Sequence, residues 1–229
     1  MEKERSWKII ARIHTDFPTK FGVPRQSGLV EGLKATVVFE PEYRSPESLR
    51  GLEGFSHIWL IWLFSESVRE EWSPTVRPPR LGGNTRMGVF ATRSPFRPNP
   101  IGLSAVKLDG IGKEPNAGTV LYVSGADLMD GTPILDIKPY LPFVDSLPGA
   151  AGGFADSVRG KALEVRCPRE FLETVPQEKR EGLLGVLAQD PRPSYQNEPC
   201  RVYGMEFAGL EIKFTVEDGV LTVRGIFRV

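Results

Sequence analysis

Apolar and polar residues alternate with a period of two in many short segments of the chain, and glycine or proline separates these segments. Such alternation predicts strands that bury one face of a sheet. In the first part of the chain, strands are predicted at residues 7–14, 34–40, 52–64, 87–93, 103–108, 119–123 and 134–138. The segment 52–64 contains the run IWLIWLF and is the most apolar, so we expect it in the centre of the sheet.

Two helices are predicted. A short one at residues 45–52 has Ser45 as its N-cap and Pro46 as its first helical residue. A longer one at residues 176–189 presents an apolar face, supplied by Leu183, Leu184, Val186 and Leu187. Three further strands are predicted at residues 200–207, 210–216 and 220–228, and Asp218-Gly219 predicts a tight turn between the last two.

The segment SLPGAAGGFADSVRG at residues 146–160 is rich in glycine and alanine, which is typical of a linker. Many short strands before it favour a barrel or a sandwich. We therefore predict a mainly β protein. Its predicted parts are a single-sheet β-barrel N-terminal domain at residues 1–147, a linker at 148–160 and a small α+β C-terminal domain at 161–229.

Composition narrows the classes of function. The 229 residues include 29 Lys+Arg and 29 Asp+Glu, which excludes a globally basic nucleic-acid binder but allows a local basic patch. The start MEKERSW is not a signal peptide, and the longest apolar run is too short to span a bilayer. We therefore expect a cytoplasmic protein that does not enter a membrane.

Cysteine and histidine are scarce. Cys167 and Cys200 are the only cysteines; we expect both to be buried free thiols, and the alternative is a disulfide between them. The two histidines are His14, predicted at a strand end, and His57, predicted to be a hydrogen-bonded structural residue. These counts exclude most zinc sites, so no metal is expected. A P-loop, a GxGxxG dinucleotide fingerprint and a GxSxG nucleophile elbow are also missing from the sequence.

Residues 72–103 carry a concentrated positive charge. They include five arginines and six prolines but no lysine, aspartate or glutamate; the arginines are Arg77, Arg80, Arg86, Arg93 and Arg97. Arginine favours bidentate recognition of phosphate or carboxylate, and proline stiffens the loops that present it. The alternative is a solvated basic face without a ligand.

Three segments are candidates for one ligand site. Gln26 and Gly28 lie in a polar loop, where a backbone can approach a ligand closely, although an ordinary surface loop explains them equally. Phe96 stands among the arginines and could stack on a base. Asp127, Asp130 and Asp136 form the third segment, where a carboxylate can bind a ligand or accept a proton. Asp130 could equally bond its own turn, and we favour the turn for Asp130 and the ligand for Asp127.

Four segments carry a resemblance to a known family. FGVPRQSGLV, RPPRLGGNTRMGVFATRSPFRPNPIGLS, DLMDGTPILDIKPYLPF and DPRPSY resemble the TsaA-like/TrmO family of S-adenosylmethionine-dependent tRNA methyltransferases. The similarity covers residues 7–147 and continues more weakly through residues 187–196. It implies a β-barrel enzyme that acts as a homodimer. It also implies methylation of N6 of threonylcarbamoyladenosine, next to the anticodon of threonine tRNA.

The resemblance also implies roles for individual residues. S-adenosylmethionine is expected to contact Gln26, Ser27, Gly28, Ser65, Glu66, Arg93, Leu103, Ser124, Gly125, Ala126 and Asp127. Either Asp127 or Asp130 is expected to accept the proton of the target nitrogen or to bind the cofactor's amine or ribose. The anticodon loop is expected to contact Arg77, Arg80, Arg86, Phe96, Arg97, Arg192 and Tyr195. Arg192 and Tyr195 could equally form a structural corner.

Two other functions compete with this one. A non-catalytic module could bind nucleotides or RNA on the same barrel. A metal-dependent hydrolase could use the aspartates, but it needs clustered carboxylates, and the neighbouring arginines would repel a cation.

Overall fold

The structure is a computed structural model that describes residues 6–68, 71–78, 81, 84–157, 162–192, 198 and 200–229. Its strands are β1 (Ala11–His14), β2 (Lys34–Phe39), β3 (His57–Leu63), β4 (Thr75–Val76), β5 (Met87–Gly88), β6 (Ile101–Glu114), β7 (Gly118–Ser124), β8 (Pro133–Pro139), β9 (Glu164–Arg166), β10 (Tyr203–Phe207), β11 (Leu210–Glu217) and β12 (Val220–Arg228). Its α-helices are α1 (Pro142–Asp145), α2 (Phe154–Ser157), α3 (Arg169–Leu172) and α4 (Gln177–Ala188). No helix in these ranges is long and apolar enough to cross a membrane.

Six strands of the first part form one antiparallel sheet. They pair in the order β1-β2-β7-β6-β3-β8, and β8 also pairs with β1, so the sheet closes on itself. Alternate residues of β3 point into the enclosed core, where Ile58, Leu60 and Trp62 are buried. The predicted mainly β class is confirmed. Strand β3 pairs with β6 on one side and with β8 on the other, but a closed sheet has no centre, so the predicted central position of this apolar strand is wrong.

The last part forms a second sheet, in which β10, β11 and β12 are antiparallel and β9 runs parallel to β12. The turn between β11 and β12 consists of Asp218 and Gly219, whose φ angles are 48° and 78°. Two positive φ angles are typical of a type I′ hairpin turn, so the predicted turn is confirmed. Helix α4 packs on this sheet through Leu183, Val186 and Leu187.

A loop of the first part belongs to the second hydrophobic core. Phe17, Val30 and Leu33 are buried among residues of α4 and the second sheet. Asp16 forms a half-buried ion pair with Lys179 of α4, at 2.6 Å. The loop at residues 15–33 is therefore fixed by the second core. The predicted domain boundaries stay a prediction.

Two glycines let α4 approach this loop closely. A Cβ atom at Gly185 would lie 2.5 Å from Cγ1 of Val30, and one at Gly182 would lie 3.1 Å from the carbonyl oxygen of Gly32. Because both glycines lie on one face of the helix, the loop backbone rests directly on α4.

Several predicted elements are wrong in type or extent. The strand predicted at 87–93 ends at Gly88 and continues as a 3₁₀ turn at Val89–Ala91. The helix predicted at 45–52 is a pair of 3₁₀ turns at Pro46–Leu49 and Leu52–Gly54, so β3 begins later than expected. Strand β6 extends well beyond the predicted 103–108, and β9 and α3 were not predicted.

The strands predicted at 7–14 and 200–207 begin only at Ala11 and Tyr203. Cys167 and Cys200 are free thiols as predicted, but Cys167 is only partly buried and Cys200 is exposed. His14 ends β1, and His57 is hydrogen-bonded to Ser56 at 2.9 Å, as predicted.

We expect Gly185→Ala to destabilise the protein, although alanine is the better helix former by about 1 kcal/mol. The new methyl group would overlap Val30, and overpacking of a core costs about 1–3 kcal/mol. Urea denaturation of the variant measures the change in the free energy of unfolding.

The matched control is the double variant Gly185→Ala/Val30→Ala. Removing the Val30 methyl groups should relieve the overlap, so the two changes should be strongly non-additive. Additive effects would show that the helix and the loop are not in close contact.

Candidate functional site

A cavity of about 1030 Å³ lies at one end of the barrel. Its wall includes the ends of β3 and β6, the turn at residues 127–132, the loop at 20–26 and the segment 189–192. This volume suits a nucleotide-sized cofactor, and the mixed polar and apolar lining is typical of ligand sites.

Asp127 is a half-buried carboxylate in the wall of this cavity. Its Oδ1 accepts a hydrogen bond of 2.5 Å from the hydroxyl of Ser104, which is only 1% exposed. The Oγ of Ser104 in turn accepts a 3.0 Å hydrogen bond from Nε1 of Trp62. The three side chains form a chain that fixes the orientation of the carboxylate.

This chain follows from the pairing of β3 with β6. Trp62 is opposite Gly102 in the ladder, and a Cβ atom at Gly102 would overlap the indole ring. Ser104 lies two residues further along the same face of β6, within reach of the indole nitrogen. A glycine in the strand is therefore what lets the indole lie across it.

The pKa of Asp127 is raised above its ordinary value. Burial is the main cause, since it disfavours the charged carboxylate. The hydrogen bond from Ser104, the positive charge of Arg93 and a backbone hydrogen bond from Ser27 act in the opposite direction. The result is a carboxylate whose pKa lies closer to neutrality than that of an exposed aspartate.

Two glycines join the loop at residues 26–28 to the segment 124–127. The amide of Gly28 donates a 2.9 Å hydrogen bond to the carbonyl of Gly125. Their φ angles are +75° and +76°, which glycine adopts without strain. The contact places Gln26 and Asp127 on the same cavity.

A second cavity of about 1490 Å³ adjoins the first. Both are lined by Gln26 and Arg93, whose side chains are hydrogen-bonded to each other, Arg93 donating. Among the described residues, the lining of the second cavity contains five arginines against one carboxylate, Glu71; the arginines are Arg25, Arg77, Arg86, Arg93 and Arg97. We call this second cavity the arginine groove. Its charge suits an anionic ligand.

The expected cofactor residues divide into two groups. Six line the first cavity, namely Gln26, Ser65, Glu66, Arg93, Leu103 and Asp127. Five contribute no lining to it, namely Ser27, Gly28, Ser124, Gly125 and Ala126. Among these, the Ser124 hydroxyl donates to Asp109 and accepts a 2.8 Å hydrogen bond from Lys34, so it serves the barrel wall.

Asp130 has a different environment from Asp127. Its Oδ1 accepts a 3.0 Å hydrogen bond from the amide of Thr15 and lies 3.2 Å from Nδ1 of His14. Its carboxylate therefore stabilises the chain that leaves β1, whereas the turn alternative had it bond its own turn. Asp130 also lines the first cavity, so its expected role at a ligand stays a prediction. Asp136 is paired with Lys138 at 2.8 Å.

The residues expected to contact tRNA lie in different places. Arg77, Arg86, Phe96 and Arg97 line the arginine groove. Nη1 of Arg97 donates to the carbonyl of Thr92 at 2.7 Å, so this guanidinium also holds its own loop. Arg192 lines the first cavity and forms a 2.8 Å ion pair with Asp190. Arg80 and Tyr195 lie outside the described residues.

Sequence reasoning missed Ser104 and Trp62 beside the carboxylate, and Trp72 and Phe90 in the arginine groove. A glycine within a strand, two residues before a serine, was the available signal for the first pair. In the ranges that the structure describes, no three histidine, cysteine, aspartate or glutamate side chains are grouped as metal ligands would be.

Known proteins resemble the chain over most of its length. Residues 12–146 match the tRNA-methyltransferase O N-terminal domain, and residues 161–229 match the TrmO C-terminal domain. The Escherichia coli K12 protein named tRNA (adenine(37)-N6)-methyltransferase is 42% identical over 217 residues, which cover 91% of this chain and 92% of that protein. The Eikenella corrodens protein of the same name is 51% identical over 176 residues, covering 76% of this chain and 98% of that one.

The fold agrees with this similarity. The crystal structure of TrmO from Pseudomonas aeruginosa has a TM-score of 0.78 and 34% sequence identity to this chain. The match covers 98% of this chain and 99% of that structure. The chain therefore belongs to the tRNA-methyltransferase O family.

Proposed function

We propose that this protein transfers a methyl group from S-adenosylmethionine to N6 of adenosine 37 in tRNA. The observation that carries the proposal is the wall shared by two cavities. On one side is a cofactor-sized cavity with a half-buried carboxylate, and on the other is the arginine groove. Relatives with high coverage are named for this reaction.

The residues of the first cavity fit S-adenosylmethionine. Glu66 offers a carboxylate for a cationic group, Gln26 offers an amide for a polar edge, and Leu103 offers an exposed apolar surface. Relatives from Pseudomonas aeruginosa and Pyrococcus abyssi are named for S-adenosylmethionine dependence or binding. When bound, the cofactor supplies an electrophilic methyl group on its sulfonium.

The arginine groove is the proposed place of the tRNA. Arg77 and Arg86 are exposed in its lining and suit backbone phosphates. The arginines also suit the carboxylate of a threonylcarbamoyl group, so we propose threonylcarbamoyladenosine in the anticodon loop of threonine tRNA as the substrate. We also propose that the protein forms a homodimer, acts in the cytoplasm and uses no metal ion.

Asp127 is the proposed proton acceptor. Methyl transfer to N6 requires the proton of that nitrogen to leave, and a carboxylate whose pKa is raised by burial is a better base than an exposed one. Ser104 and Trp62 hold this carboxylate in place, which favours catalysis by positioning. Asp130 is assigned a structural role, since its carboxylate already stabilises the backbone at Thr15.

The first test combines cofactor binding with turnover. Calorimetry should detect saturable binding of S-adenosylmethionine to the full chain. Labelled methyl should then pass to threonine tRNA that carries the threonylcarbamoyl group, and not to tRNA that lacks it. RNA binding without any affinity for S-adenosylmethionine would instead support the non-catalytic alternative.

Asp127→Asn should abolish most of the turnover and also stabilise the protein near neutral pH. General-base catalysis contributes about 10²–10⁴ in rate, so kcat should fall by a factor in this range. Because folding raises the pKa of Asp127, its contribution to stability is present below the unfolded value near 3.8 and is lost as pH rises through the folded value. The free energy of unfolding of Asp127→Asn, relative to the wild type, should therefore increase as pH rises from the unfolded pKa to the folded pKa of Asp127. Above the folded pKa the difference should stay constant.

Single-turnover rates and urea denaturation at a series of pH values measure the two effects. Asp130→Asn is the matched control and should keep kcat close to that of the wild type. A loss of S-adenosylmethionine affinity in Asp127→Asn would show that the carboxylate binds the cofactor and does not act as a base.

Replacing Arg77 and Arg86 by alanine should weaken the salt dependence of tRNA binding. Each lost phosphate contact should reduce the slope of log affinity against log salt by roughly 0.7–0.9. Filter binding between low and moderate salt measures the slope. Arg50→Ala/Arg169→Ala changes two exposed arginines outside both cavities and should leave it unchanged. If both double variants show the same slope of log affinity against log salt, the arginine groove does not bind the phosphates of the RNA.

A further inference from the structure

Two aromatic side chains stand exposed in the arginine groove. Trp72 is 53% exposed and Phe90 is 73% exposed. Their ring centroids are 6.2 Å apart, with an angle of 36° between the ring planes. Neither belongs to the two hydrophobic clusters in the part of the chain that the structure describes. Large exposed aromatic rings that serve no core are a mark of a binding surface.

The backbone fixes the position of both rings. Strands β4 and β5 pair Thr75 with Gly88, and the amide of Val89 extends the ladder by donating to the carbonyl of Pro74 at 3.0 Å. Trp72 lies three residues before β4, and Phe90 lies in the 3₁₀ turn that follows β5, so the two rings stand at the same end of this ladder. The rings are therefore presented by a hydrogen-bonded pair of chain segments, although neither is held by burial.

Arginine side chains surround the aromatic pair. The guanidinium of Arg97 lies over the ring of Phe90, with its Cζ 5.8 Å from the centroid. Arg77 and Arg86 line the same groove, whose described lining holds only one carboxylate. A protein partner usually covers an aromatic patch with a core depleted of charge. Aromatic rings among arginines suit single-stranded nucleic acid, whose bases stack while its phosphates bind guanidinium groups.

The position of the aromatic pair in the groove indicates which base of the RNA it would contact. The arginine groove and the cofactor cavity share Gln26 and Arg93, so the methylated nitrogen has to reach that wall. Trp72 lines the groove and not the cofactor cavity, which leaves it to a nucleotide beside the target.

We propose that Trp72 and Phe90 form a stacking platform for a nucleobase that flanks the methylated adenine in the anticodon loop. The platform rests on the proposed function, since it assigns part of the same RNA site. It positions the loop without touching the cofactor. It therefore contributes to the affinity for RNA and not to the affinity for S-adenosylmethionine.

The test uses the double variant Trp72→Ala/Phe90→Ala and the wild-type full chain. Stacking of one base on an aromatic side chain corresponds to roughly 5–150-fold in affinity. The KM for threonylcarbamoylated threonine tRNA should rise by a factor in this range, while the Kd for S-adenosylmethionine stays unchanged. The single variant Trp72→Phe keeps an aromatic ring at this position and should retain most of the wild-type affinity for tRNA. Phe227→Ala, at a site 52% exposed in the second sheet, is the matched control and should have no effect.

Stacking is read directly with an anticodon stem-loop that carries 2-aminopurine on either side of the target. The wild type should quench this fluorescence and the double variant should not. An unchanged KM, or equal quenching by both proteins, would overturn the proposal. A change from dimer to monomer on sedimentation, with the quenching retained, would overturn it in favour of a subunit contact. Wild-type protein that quenches but transfers no methyl would refute the proposed function and leave the platform supported.

Discussion

Gly28 and Gly125 meet through a 2.9 Å backbone hydrogen bond, and this contact joins the two chain segments that form the site. A Cβ atom at Gly125 would lie 3.4 Å from Cα of Gly28, in a backbone conformation that other residues rarely adopt. Gln26 lies two residues before Gly28, and Asp127 lies two residues after Gly125, so the contact holds both close to the same point. Their separation is thus set by main-chain geometry, which is stiffer than side-chain packing and suits a site that works by positioning.

The electrostatics of the site depend on unequal burial in a chain of zero formal net charge. Asp127 loses solvent and has a raised pKa, whereas Arg77 and Arg86 of the groove stay exposed and keep a long-range field. Arg93 belongs to both environments, because it contacts Gln26 and also favours the charged form of Asp127. One guanidinium therefore links the arginine groove to the protonation of the half-buried Asp127.

The strands with clear alternation, such as β2, β3 and β11, could be predicted from sequence because each buries one face. Strand β6 was predicted too short, since Gly110 and Gly112 disfavour a strand locally while pairing with β7 outweighs that preference. Gln26, Arg93 and Asp127 could be predicted through family motifs. Ser104 was missed, because the glycine two residues before it becomes a signal only in the register that places Trp62 opposite Gly102.

Helix α4 packs against the loop at residues 15–33. The stability of the second sheet is therefore coupled to ligand binding at the site. A ligand that orders this loop must also favour the folded state of the helix that supports it, by reciprocal linkage. The same loop supplies Gln26 to the first cavity and Phe17 to the second core. Local unfolding of the C-terminal sheet would therefore release the loop that supplies Gln26, so a ligand bound in the first cavity would slow hydrogen exchange in that sheet.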